Sequence, residues 1–134
     1  MKINYNLFLD DDERRIPNKL TWIHLPDVDW TIVRTYDAFV NIIGTQGLPA
    51  IVSFDHDLGD TAYHEYFRAI TNGGKLNYSN IKEKTGYDCA VFLANYCIDN
   101  NLQLPVYYIH SMNGPGCLNI ESVMQSAYKV INGK

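Results

Sequence analysis

Apolar residues gather in four short runs, and three of these runs end abruptly in polar side chains. Asn6-Leu7-Phe8-Leu9 leads into Asp10-Asp11-Asp12-Glu13, and Ile51-Val52-Ser53-Phe54, bounded by Pro49, leads into Asp55-His56-Asp57-Leu58-Gly59. Val106-Tyr107-Tyr108-Ile109 follows Pro105 and ends in His110-Ser111-Met112-Asn113. Short apolar runs bounded by turn residues are the signature of parallel strands, and a run that does not alternate suits a central strand covered on both faces. A further strand is predicted at Trp30 to Thr35. The Trp22-Ile23-His24-Leu25-Pro26 piece is apolar but short, and its state is left open.

Between the strands the period changes to that of helices. Tyr36, Phe39, Val40 and Ile43 share one helical face that ends near Gly44 or Gly47. Tyr87, Ala90, Val91, Ala94 and Ile98 share another, opened by Thr85-Gly86-Tyr87-Asp88, a capping box with Asp in the reciprocal place. Ile120, Val123, Met124, Ala127 and Ile131 line the last helix. The pattern predicts one α/β domain over residues 1–134, a three-layer sandwich with a small, mainly parallel sheet. Strand order 2-1-3-4, reached by right-handed crossovers, would place the runs ending at Leu9 and Phe54 side by side at the centre. The stretch from Asp60 to Lys84 reads as an insertion, with Tyr63, Tyr66, Phe67 and Ile70 at helical spacing before Gly73-Gly74. Two roles suit it: a lid beside a site, or a surface excursion whose aromatics pack on the body.

With 134 residues, 46% hydrophobic and 19% charged, the chain can close a core. Its formal charge of −4 argues against a protein that grips double-stranded DNA along a basic surface. A phosphate-bearing small molecule or an RNA end remains compatible, since a few local cations can hold one phosphate. No apolar run approaches the roughly 20 residues of a membrane helix, so no membrane partner is expected. The start, Met1 to Asn6, reaches acidic residues too soon for a signal peptide. Cys89, Cys97 and Cys117 have neither the even count nor the spacing of a disulfide framework or zinc site, so a cytoplasmic location is expected.

In open α/β sheets, ligands sit at the carboxyl ends of the strands. Asp10, Asp11 and Asp55 would stand at adjacent ends and repel one another unless a cation or a retained proton intervenes. A hard cation with oxygen ligands, Mg²⁺ or Mn²⁺, suits this set, with Asp57 as a further ligand. A solvated strand exit would explain one acidic cluster; two clusters and a third polar strand end favour a site. His56 and His110 are the acid/base candidates, although His56 could point away from its flanking aspartates. Arg14, Arg15, Ser111, Asn113 and the backbone around Gly116, ahead of the last helix, are the candidates for gripping phosphate.

These residues resemble two related patterns. The acidic pair Asp10-Asp11, an aspartate closing the third strand and a hydroxyl closing the fourth are similar to the receiver domain of response regulators, a flavodoxin-like fold. That resemblance implies Mg²⁺ on the carboxylates, Asp55 at the phosphoacceptor position, and Ser111 at the switch hydroxyl, or His110 in that slot if the strand ends one residue sooner. The closer resemblance is to the cyclic-phosphate processing receiver domains. It rests on Phe8-Leu9-Asp10-Asp11 with Arg14, Arg15 and Pro17, on Ser53 to Gly59, on Thr85 to Asp88, and on Ile109 to Asn113 with Gly116 and Asn119. It spans most of the chain outside 60–84. Receivers normally add a fifth strand ending in lysine, and nothing after Asn119 reads as one, which weighs against ordinary phosphorelay signalling.

Two functions follow. The first is a metal-dependent phosphoesterase acting on a cyclic or terminal phosphate of a nucleotide or RNA end, with Asp55, His56 and His110 as the catalytic candidates. The second is a non-catalytic receiver-derived module that binds a nucleotide, or is phosphorylated on Asp55, and signals through a partner. A metal-free pair of histidines would require His56 and His110 to face each other.

Overall fold

The computed structural model describes residues 4–133; the part of the N-terminal reading that concerns residues 1–3 lies outside them. Four strands, β1 (Asn6–Leu9), β2 (Trp30–Val33), β3 (Ile51–Phe54) and β4 (Val106–Ile109), form one sheet in the order β2-β1-β3-β4. Every neighbouring pair is parallel. The helices are α1 (Tyr36–Gln46), α2 (Asp60–Thr71), α3 (Gly86–Asp99) and α4 (Gly114–Asn132). The expected fold class and strand order are those observed.

The register sorts the residues between the two faces. Leu7 pairs with Val52, and Leu9 pairs with Phe54 and Val33, so these side chains share one face. Phe39 and Ile43 of α1, Cys89, Ala90 and Leu93 of α3, and Ile120 and Met124 of α4 join them in the main core. Fully burying a side chain of this size contributes about 1.5–3 kcal/mol. Phe8 and Ser53 point the other way. That face is covered by the connection between β1 and β2, which carries only one 3-10 turn, Pro17–Lys19, and sends the Trp22 indole to the His110 carbonyl (2.7 Å). The third layer is therefore a loop pinned by side chains. Trp22 to Pro26, whose state the pattern left open, belongs to it.

Boundaries follow local chemistry. β2 stops at Val33, two residues short of the expected end, because Thr35 turns to cap α1 and accepts the Ala38 N–H (3.1 Å). The capping box at Thr85 and Asp88 forms as expected. It brings the start of α3 hard against the end of β3. A Cβ on Gly86 would strike the Asp55 carbonyl oxygen, and the Gly86 N–H donates to the His56 carbonyl (2.8 Å). Only glycine permits that approach.

The insertion is stitched to itself by two glutamates. Buried Glu65 accepts from Arg68 Nε (2.6 Å) and Nη2 (2.7 Å), the Asn77 N–H (2.7 Å) and Asn80 Nδ2 (2.8 Å). Glu83 accepts the Ala62 N–H (2.9 Å) and the Thr61 hydroxyl, covering the first turn of α2. Such fully satisfied carboxylates hold a segment in one arrangement.

Candidate functional site at the strand ends

Asp10, Asp55 and His110 are each the first residue past a strand, and the ladder continues through them. The Asp10 N–H donates to Val33 (3.1 Å), that of Asp55 to Leu9 (2.9 Å) and that of His110 to Phe54 (2.9 Å). Three residues in one row of a parallel sheet stand about one strand spacing apart. All three are buried, and one ligand atom from each lies within 4.8 Å of the others.

His110 is held on every side. Its ring stacks on Phe8 (centroids 4.4 Å apart), Nε2 lies 3.0 Å from Asp10 Oδ2, and Nδ1 lies 2.7 Å from Ser53 Oγ. Burial lowers its pKa, and the neighbouring Asp10 opposes that shift. A neutral ring satisfies both contacts: Nε2–H donates to Asp10, and Nδ1 accepts the Ser53 hydroxyl. Arg15 adds a guanidinium 3.5 Å from Asp10 Oδ2 and lies over the Trp22 ring.

The carboxylates are unequally matched. Asp10 also accepts the Asp12 N–H (2.9 Å). Asp55 is 3% exposed and takes the His56 N–H on Oδ1 (2.9 Å). Burial first, then the charge of Asp10, raises its pKa well above the ordinary carboxylate range. Asp11 is pushed up to about 6 by desolvation and then by Asp10. Asp12 is held down to about 2 by its hydrogen bonds with Arg14.

His56 belongs to a second chain of contacts. Asn119 Nδ2 donates to the Tyr78 hydroxyl (2.9 Å), which lies 2.8 Å from His56 Nε2. His56 Nδ1 lies 2.7 Å from Asp57 Oδ1, which also accepts from Asn113 Nδ2 (2.9 Å). Burial pushes the Tyr78 phenol up to about 12, so it is present as the O–H donor. The ring lies under α4, where a Cβ on Gly116 would sit 2.7 Å from its Cδ2. The Gly116 N–H is taken by Asn113 Oδ1 (2.9 Å), and Ser111 Oγ accepts the Asn113 N–H (3.1 Å).

Above the row is a cleft of about 550 Å³, lined by Asp11, Asp12, Arg14, Arg15, Asp55, Asp57, Ser111, Met112 and Asn113, and by Gly59, Asp60, Tyr63, Tyr66 and Phe67 from the insertion side. A larger groove of about 770 Å³ runs between α3 and α4, but among the described residues no carboxylate or histidine lines it, so the candidate chemistry belongs to the smaller cleft.

The geometry sorts the expected residues. Asp10 and Asp55 come together with His110; Asp11 and Asp57 face the cleft from outside that trio. Arg14 pairs with Asp12, while Arg15 reaches Asp10. Gly116 serves the packing of His56 and does not line the cleft. The two histidines have disjoint partners, so this arrangement offers no opposed pair. Arg34, unremarked in the sequence, donates through Nη1 to the carbonyls of Asp10 (3.0 Å), Asp12 (2.7 Å) and Arg15 (3.3 Å) and shapes the acidic loop. Its signal was an arginine directly after a strand of the parallel set.

A family model described as the cyclic-phosphate processing receiver domain matches residues 5–126. The chain belongs to this family. A cyclic-phosphate processing receiver domain here has a four-stranded parallel sheet, and among the described residues no helix is long and apolar enough to cross a membrane. No curated protein and no solved structure matches the chain. The buried donors of this receiver domain could hold a divalent cation. Burial disfavours the charged form of Asp55, and Asp10 and Asp55 offer the hard oxygens that Mg²⁺ or Mn²⁺ prefers.

Proposed function

We propose that the cleft is the active site of a divalent-metal-dependent phosphoesterase that opens a cyclic phosphate, or removes a terminal one, on a nucleotide or RNA end. The row of Asp10, Asp55 and His110 beneath a cleft that also holds Arg15 is the observation that carries this reading. Asp10 and Asp55 would hold the cation, with Asp11 and Asp57 beside it at the cleft wall. When bound, the cation neutralises the clustered carboxylates and polarises a phosphate oxygen. Arg14, Arg15 and Ser111 supply donors to the remaining phosphate oxygens.

His56 holds Asp57, which lines the cleft, whereas His110 holds Asp10, which is fully buried beneath the wall beside Asp55. Both histidines act as positioning residues that fix the carboxylates and the proton between each pair. In ring opening, water adds to phosphorus and gives up a proton, one P–O ester bond breaks, and the departing oxygen takes up one proton from solvent water, so that none is gained or lost overall. Asp57, oriented by His56 and Asn113, is the carboxylate best held to take the proton of the water.

The test is turnover of a nucleoside 2′,3′-cyclic phosphate with and without Mg²⁺ or Mn²⁺. Monoester product that forms only with the cation is expected; equal rates after chelation would overturn metal dependence, and no product with either would overturn the enzyme.

The receiver-derived signalling module is the second reading, favoured by the position of Asp55 at the end of β3. It is tested by incubation with acetyl phosphate and Mg²⁺. No stable adduct on Asp55 is expected, because the aspartate is buried and, among the described residues, no lysine lines the cleft. A durable phosphoryl mass that Asp55→Ala abolishes would promote the signalling module over the enzyme.

A further inference from the structure

Helix α2 carries its aromatics on the wrong side for a packing role. Its buried residues are Ala62, Glu65 and Ala69, while Tyr63 is 54% exposed and Phe67 is 47% exposed. A helix that merely rests on the body buries its large apolar face and turns small and charged residues outward. Here the order is inverted, and Tyr63, Tyr66 and Phe67 line the cleft that holds Asp55, Arg15 and Ser111. Phe67 is braced by both tyrosines, edge-on to Tyr63 (4.8 Å between centroids) and tilted to Tyr66 (5.5 Å). The Glu65 and Glu83 contacts fix the backbone that carries them.

We propose that Tyr63, Tyr66 and Phe67 are a stacking wall for one nucleobase, so that the cleft selects a mononucleotide bearing its cyclic phosphate over a sugar or glycerol phosphate. This rests on the reading of the cleft as a phosphate site. Aromatic rings beside a phosphate grip are the combination that holds a base and its backbone together. A cleft of about 550 Å³ lies within the range for small ligands, roughly 300–1,000 Å³. The formal charge of −4 provides no basic track for the phosphates of a longer strand, so the recognised unit is a single nucleotide. The aromatic repeat visible in the sequence thus acquires a role that neither a lid nor a surface excursion requires.

The experiment is calorimetric binding in Mg²⁺, with turnover alongside, for three probes: adenosine 2′,3′-cyclic phosphate, glycerol 1,2-cyclic phosphate, and a tetraribonucleotide ending in the cyclic phosphate. The adenosine compound should bind at least about tenfold more tightly than the glycerol compound, and Phe67→Ala or Tyr63→Ala should erase most of that difference. Phe67→Trp, which keeps a stacking face, should retain it, and melting curves on each variant exclude unfolding as the cause. Equal binding of the two small probes, or a preference that survives the alanine variants, would overturn the stacking wall and leave the phosphate site standing. A tetranucleotide bound far more tightly than the mononucleotide would overturn the single-nucleotide assignment. Adenosine binding that needs Phe67 but is indifferent to Arg15→Ala and Asp55→Asn would keep the wall and sink the phosphate reading. If none of the probes binds, both fall.

Discussion

Asp55→Asn is expected to weaken Mg²⁺ or Mn²⁺ binding by roughly 10²-fold or more, and to raise the melting temperature of the metal-free protein. The two effects have one cause. Asp55 is almost wholly buried, and burial and the charge of Asp10 push its carboxyl well above the ordinary range. A carboxyl whose folded pKa is raised binds its proton more tightly folded than unfolded, so its contribution to stability falls as pH rises from the unfolded value through the folded one. Asp11, raised to about 6, adds a loss of the same sign between about pH 4 and pH 6. At neutral pH the metal-free fold therefore bears the cost of burying and crowding these carboxyls, which a cation would relieve. Asparagine relieves it too, which raises the melting temperature, but supplies no anionic ligand. Losing an outer-shell partner alone typically lowers metal affinity 10–100-fold, and a direct ligand should matter at least as much. Calorimetry and melting curves with and without Mg²⁺ check both halves. A variant that melts lower than wild type and still binds the cation equally would show that Asp55 is a packing residue.

The fold was legible because the strands announce themselves twice, by an apolar run and by the polar residues that end it. The strand order was one that right-handed crossovers make reachable, and Asp10, Asp55 and His110 could be placed at strand ends without a structure. That they form one row depends on the register, which pairs Leu9 with Phe54 and Phe54 with Ile109. A shift of one residue would have turned every side chain to the other face. Side-chain direction was hidden for the same reason. His56 is next to Asp55 in sequence, yet its ring lies under α4 beside Gly116, because a strand exit turns neighbours apart. The third layer was hidden too. Trp22 and Arg34 act by long-range contacts to backbone carbonyls, which leave no period in the sequence. The insertion showed its aromatic spacing, but not that the inward positions would go to Ala62, Glu65 and Ala69.

His110→Ala should lower turnover per folded molecule by roughly 10²-fold, and the accompanying variants decide how. The sequence suggested a general acid, but the ring is fully buried and absent from the cleft wall. Its pKa is lowered by burial, so at neutral pH it is a neutral ring that fixes Asp10 from one nitrogen and holds Ser53 with the other. Removing it leaves the Ser53 hydroxyl without a partner and a void against Phe8, a change that commonly costs about 2–4 kcal/mol, so melting curves must accompany every rate. His110→Gln keeps an N–H that can reach Asp10 but cannot titrate near neutral pH. A positioning role predicts that Gln recovers most of the rate, that Ala lowers cation affinity about tenfold, and that the pH profile of kcat keeps its shape in both variants. A proton-donating role predicts instead that Gln is as slow as Ala, that cation affinity is unchanged, and that one limb of the profile disappears. Loss of stability with full activity per folded molecule would remove His110 from the site and leave it as a core residue. The burial and the paired contacts of both ring nitrogens favour the first outcome, because a ring enclosed by Phe8, Ser53 and Asp10 can influence a phosphate only through the carboxylate it holds.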